Sequence, residues 1–153
     1  MKEEQIVYRV LIVARHIIKY CNEMNYPVSN LKLQKLLYFV QAEFLVNKDE
    51  PCFPEEIEAW DFGPVVPEVY HRYKVYGSSS IPYINTGILG RISSPDRIMI
   101  EEMVDQCAKY TASQLVDITH NQDPWIKAYT PYKSNIITKK SIRDYFAEDK
   151  RND

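Results

Sequence analysis

Three histidines (His16, His71 and His120) and three cysteines (Cys21, Cys52 and Cys107) are the side chains in this sequence best suited to acid-base, nucleophilic or metal chemistry. A metal-binding pair on a helix needs a second ligand one turn away, and His16 has neither His nor acid at that spacing, so it reads as a partly exposed helix residue. His71 follows Tyr70 and has Glu68 three residues before it, a spacing that orients an imidazole or makes a surface contact. His120 precedes Asn121 at the end of a helical segment, where a cation is favoured. The cysteines are widely spaced, form no C-x-x-C pair and read as reduced, buried thiols, and Cys52 has no base near it in sequence. Glycine-rich phosphate loops, G-x-S-x-G and H-E-x-x-H are absent, and four glycines leave little material for a phosphate cradle. The sequence therefore predicts no metal, no cofactor and no enzyme. A reaction would require His71 or His120 to meet a carboxylate or metal in space.

The elements that must position these residues are helical. Ile6, Val10, Val13 and Ile17, with Val7, Leu11, Ala14 and Ile18 beside them, predict an amphipathic helix over 5–21. Pro27 interrupts the period, Ser29 can cap the next helix, and Leu33, Leu36, Leu37, Val40 and Phe44 form its buried face to about Val46. Leu31, Tyr38 and Leu45 widen that face beyond half the circumference, which predicts a central helix. A loop over 47–54 leads to an extended piece at 55–60. Pro64 then suits the first turn of a third helix, carrying Val66, Val69, Tyr70 and Tyr73 and ended by Gly77. The stretch 78–93 reads as a loop or weak β-hairpin. Ser94-Pro95-Asp96 is a helix start, with Met99, Met103, Cys107 and Tyr110 as its buried row. Thr111 and Gln114 spell a capping box, and short helices follow at Asp123-Pro124-Trp125 and over 141–148, the last with Ile142, Tyr145 and Phe146 inward. The expected fold is mostly α, a compact single domain over 1–153 with at most a small β-hairpin.

Charge separates along the chain. Asp49, Glu50, Glu55, Glu56, Glu58, Asp61 and Glu68 lie in a stretch without Lys or Arg, mixed with Phe53, Trp60, Phe62 and Tyr70. This acidic-aromatic strip reads either as a solvated face or as a surface that meets a basic partner. Lys133, Lys139, Lys140, Arg143, Lys150 and Arg151 make a modest basic cluster near the other end, diluted by acids. Overall the chain has 19 basic and 21 acidic residues, a net charge of −2, which excludes a general nucleic-acid binder. No apolar run reaches membrane-span length and no signal-peptide core follows Met1 to Gln5, so a soluble protein that stays in the cytoplasm is expected. Twelve tyrosines hint at a binding surface.

The run L-K-L-Q-K-L-L-Y-F from Leu31 to Phe39, then E-A-W-x-x-G-P-V-V-P-E-V-Y from Glu58 to Tyr70 with Gly77 after it, resembles the Panacea domain, the SocA-like antitoxin and phage-associated protein family. The Q-L-V-D-I-T-H stretch with Pro124-Trp125, and the segment from Ile142 to Phe146, are similar to the family's C-terminal half, so the resemblance spans roughly residues 6–146. It implies an antitoxin that neutralises a cognate protein toxin, encoded by an adjacent gene, through direct contact. In one branch it implies an adaptor that delivers the toxin to an AAA+ protease. The resemblance supplies no catalytic residues. Family members can carry a DNA-binding domain, and 153 residues leave no room for one, so DNA binding is not expected; nothing fixes an oligomeric state. Within the signature, Gln34, Lys35 and Gln41 are placed to orient neighbouring loops, while Trp60, Gly63, Pro64 and Pro67 set the angle of the third helix. The expected toxin contacts are Phe53, Glu55, Glu56, Glu58, Asp61 and Phe62.

Overall fold

A long helix that is apolar nearly all round must be enclosed by other elements, and this governs the architecture. The computed structural model of the chain describes residues 7–85, 87 and 90–151, with side chains as far as Glu148. Its α1 (Val10–Glu23) and α2 (Asn30–Lys48) are followed by a hairpin of β1 (Ile57–Trp60) and β2 (Gly63–Val65), then α3 (Pro67–Tyr73) and a 3-10 turn over Lys74–Tyr76. After a connecting segment come α4 (Ser94–Cys107), α5 (Ala112–His120), α6 (Asp123–Ala128), β3 (Ile136–Ile137) and α7 (Lys139–Arg151). Helix α2 is the hub. It packs against α1, α3, α4, α5, α7 and β2, and buries Leu33, Leu36, Leu37, Tyr38, Val40 and Phe44. Ser29 caps it by accepting a hydrogen bond from the Lys32 amide at 3.2 Å.

The mostly helical expectation holds, with local corrections. Pro64 lies in β2, opposite Ala59, and does not open a helix; the proline in the first turn of α3 is Pro67. A proline is tolerated there because β2 is an edge strand, in a sheet ordered β2-β1-β3. The third strand is too short to signal itself in sequence: Ile136 and Ile137 pair antiparallel with Glu58 and Ile57. Among the described residues of 78–93 no strand forms, and Thr86, Ile88 and Leu89 lie outside them. In α4 the buried row is Ile100, Val104 and Cys107, one position on from Met99 and Met103, which pack at the margin of the core. The first residues of the helix expected over 5–21 fall outside the described residues, and the helix begins at Val10. Its start has no capping side chain of its own; the Glu55 carboxylate serves instead, both oxygens accepting from the Val10 amide at 3.2 Å.

All three cysteines are buried and unpaired. Burial raises the Cys21 and Cys107 thiols to about 11 and pushes Cys52 up further still. No helix is long and apolar enough, among the described residues, to cross a membrane.

Candidate functional site

Helix α2 carries polar side chains into its buried surface, and these bond to backbone of neighbouring segments. Gln41, fully buried, accepts the Cys52 amide at 2.7 Å and donates to the Phe53 carbonyl at 2.9 Å. Gln34 accepts the Val66 amide at 2.9 Å and donates to Asn30 Oδ1 at 2.9 Å. Lys35 is wholly buried and donates from Nζ to the Pro64 carbonyl at 2.8 Å; loss of hydration lowers its pKa to about 7. Of the three polar residues of the signature, Gln41 and Gln34 thus hold the segments that enter and leave the β1–β2 hairpin, while Lys35 bonds to strand β2 itself. Gly63 completes this packing. At φ +101 a side chain would be strained, and a Cβ there would lie 2.7 Å from Lys35 Cε and 2.8 Å from Thr119 Oγ1.

The turn of the hairpin, Asp61-Phe62, is bracketed from the other side by α5 and α6. His120, Trp125 and Tyr129 form a ring stack, with centroids 4.1 and 4.4 Å apart in succession. Trp125 Nε1 donates to the Trp60 carbonyl at 2.8 Å, His120 Nε2 lies 2.9 Å from the Asp61 carbonyl, and the Tyr129 hydroxyl donates to the Asp61 carboxylate. Every ring in the stack thus also makes a polar contact with the hairpin, at Trp60 or Asp61. What the turn presents is Phe62, 66% exposed. Beside it runs a groove of about 660 Å³, lined by Trp60, Phe62, Tyr70 and Tyr132, with Lys74 and Lys133 at its margins. Tyr132 is fully exposed and holds φ +64, a left-handed conformation uncommon for a bulky residue.

The sequence-predicted contacts divide on this geometry. Phe53 is a correction: it is completely buried, because Gln41 pins its backbone to the inside of the 47–54 loop, so its ring belongs to the core. Glu55 caps α1. Glu56 pairs with Lys139 at 3.3 Å and Asp49 with Arg143 at 2.8 Å, so the acidic strip and the basic cluster partly neutralise each other within the chain. Glu58 accepts from Trp60 Nε1 at 2.9 Å. Glu58, Asp61 and Phe62 remain together on and next to the turn. The bracket was not anticipated as a unit, although T-H at 119–120 and P-W at 124–125 stood out in the sequence.

The histidines find no catalytic setting. His71 is exposed near the edges of Tyr70 and Trp60, and neither it nor His120 meets a carboxylate side chain among the described residues. His16 does have an acid partner, Glu101 of α4 at 3.0 Å, too distant in sequence to be foreseen. Among the described residues no group of three or more His, Cys, Asp or Glu could hold a metal ion.

Antitoxin SocA of Caulobacter vibrioides (strain NA1000 / CB15N) is 38% identical over 126 residues, a match covering 74% of this chain and 66% of that protein. No solved structure matches the chain. Residues 33–126, from the buried face of α2 through the hairpin and its bracket to α6, match the family described as "Antitoxin SocA-like, Panacea domain". The description is that of an antitoxin and not of an enzyme, and the chain belongs to this SocA-like Panacea-domain family.

Proposed function

We propose that this protein is the antitoxin of a toxin–antitoxin pair and neutralises a separately encoded protein toxin by binding it directly, with Phe62 as an anchor and Asp61 and Glu58 beside it. Family membership supports the antitoxin role. The observation that carries direct binding is Phe62 itself: a large apolar ring, 66% exposed, on a turn flanked by three aromatic side chains, Trp125 and His120 at the Trp60 and Asp61 carbonyls and Tyr129 at the Asp61 carboxylate. A rigid aromatic loses little freedom on binding, which is why such residues dominate interface energetics. The groove next to it gives the toxin chain a continuous surface.

The test is growth rescue by this protein against the product of the neighbouring gene, read together with toxin abundance and binding kinetics. Rescue with undiminished toxin and a purified complex is expected. Phe62→Ala should raise the dissociation rate, at a cost of about 2 kcal/mol or more if the ring is a hot spot. Rescue that depends on an AAA+ protease and on loss of the toxin would replace direct neutralisation by the adaptor reading. Absence of both rescue and complex would refute the antitoxin reading for that pair.

A further inference from the structure

Helix α1 turns a second, unassigned surface outward, away from the hairpin. We propose that it binds a nucleoside polyphosphate, in two adjoining hollows that share Ile12, Arg15 and Tyr83. One hollow, about 690 Å³, is basic: it is lined by Arg15 and Lys19 of α1, by Arg91 just before α4 and by Arg97 near the start of that helix. The other, about 490 Å³, sets the rings of Tyr73 and Tyr76 and the side chain of Ile84 beside Arg9 and Arg72. The Arg15 guanidinium lies over the Tyr83 ring, 5.6 Å from its centroid, at the boundary between them.

The charges show what the basic hollow can take. In a chain of net charge −2, four permanent cations from two helices and the segment before α4 converge on one concavity. Of the acids near them, Glu101 is paired with His16 at 3.0 Å, Asp96 with Lys48 at 2.8 Å, and Glu23 lies 3.9 Å from Lys19. Arg15 and Arg97 are held only by neutral oxygens, Asn85 Oδ1 at 3.3 Å and Ser94 Oγ at 2.8 Å. Arginines without carboxylate partners suit a multivalent oxyanion, and phosphate geometry matches the guanidinium fork. Each hollow is of small-ligand size. A flat base fits against the tyrosines of the second hollow while its phosphates lie in the first. Two bounded hollows of that size suit a discrete nucleotide, whereas a nucleic-acid strand needs a groove that tracks several nucleotides. Neither hollow shares a residue with the groove beside Phe62, so this proposal does not depend on the toxin contact.

Calorimetric titration of the whole protein with ATP, tripolyphosphate, adenosine and a single-stranded oligonucleotide tests it. ATP should bind most tightly, tripolyphosphate more weakly and adenosine weakest. Arg15→Ala and Arg97→Glu should each weaken ATP by about tenfold or more with an unchanged circular dichroism spectrum, and Tyr76→Ala should weaken ATP while sparing tripolyphosphate. No ATP binding up to about 1 mM, unchanged affinity in the arginine variants, or equal binding of ATP and tripolyphosphate would overturn the assignment. So would an oligonucleotide that binds more tightly than ATP.

Discussion

A lysine with no water around it prefers to be neutral, and Lys35 thereby ties folding to pH. Burial lowers its pKa from 10.5 to about 7 in the folded protein. Between those values the unfolded chain binds a proton that the folded chain does not, so through this residue stability rises with pH across that window and levels off below it. The buried thiols and phenols, whose pKa values are raised, act in the opposite sense at alkaline pH, but they are common to wild type and to a Lys35→Met variant. Urea unfolding of the two should therefore show the wild type gaining on the variant as pH goes from about 7 to about 10; parallel pH curves would mean that Lys35 is not neutral in the fold. A second residue-scale contrast separates the two phenylalanines. Phe53→Ala should destabilise the protein by about 3–5 kcal/mol, as expected for a buried ring. Phe62→Ala should change unfolding free energy by no more than about 0.5 kcal/mol, because its ring already faces solvent.

Among the elements, those announced by local chemistry were legible and those made by distant pairing were not. Thr111 accepts from the Gln114 amide at 3.1 Å while Gln114 Oε1 accepts from the Thr111 amide at 2.9 Å, the capping box that the sequence spells. Thr111→Ala should cost about 1 kcal/mol in urea or thermal unfolding, and no measurable change would mean that α5 is held by tertiary contacts alone. Ser29 and the apolar circumference of α2 were readable in the same way. Pro64 was misplaced because a G-P pair suits both a helix start and an edge strand, and only the partner at Ala59 decides. Nothing local marked β3 or the pairing of α7 with the 47–56 segment, since each depends on a residue some eighty or more positions away. The same limit applied at the candidate site. The residue types at 58–62 drew notice, but the ring stack that holds the turn comes from 120–129.

For the molecule as a whole, one buried cluster runs from Tyr8 to Ile142 and draws on every helix described except α6. We expect it to unfold as one cooperative unit. The two tryptophans, Trp60 and Trp125, both sit at the hairpin bracket, whereas circular dichroism reports chiefly the long helices. Denaturation followed by fluorescence and by dichroism should give coincident transitions; separated midpoints would show that the hairpin and its bracket form a second unit.

The buried thiols give the protein a set of internal clocks. Cys21 lies near the end of α1, Cys107 at the end of α4, and Cys52 in the loop pinned by Gln41. A thiol-directed reagent reacts with the exposed thiolate, so each site is modified only when the structure around it opens. Native-state labelling resolved by mass spectrometry should modify Cys107 first, at 5% exposure, and Cys52 last, with a protection approaching that of global unfolding. Because the three sites lie in different parts of the fold, their rates would rank the order in which a bound partner tightens the protein, without any probe being added to it.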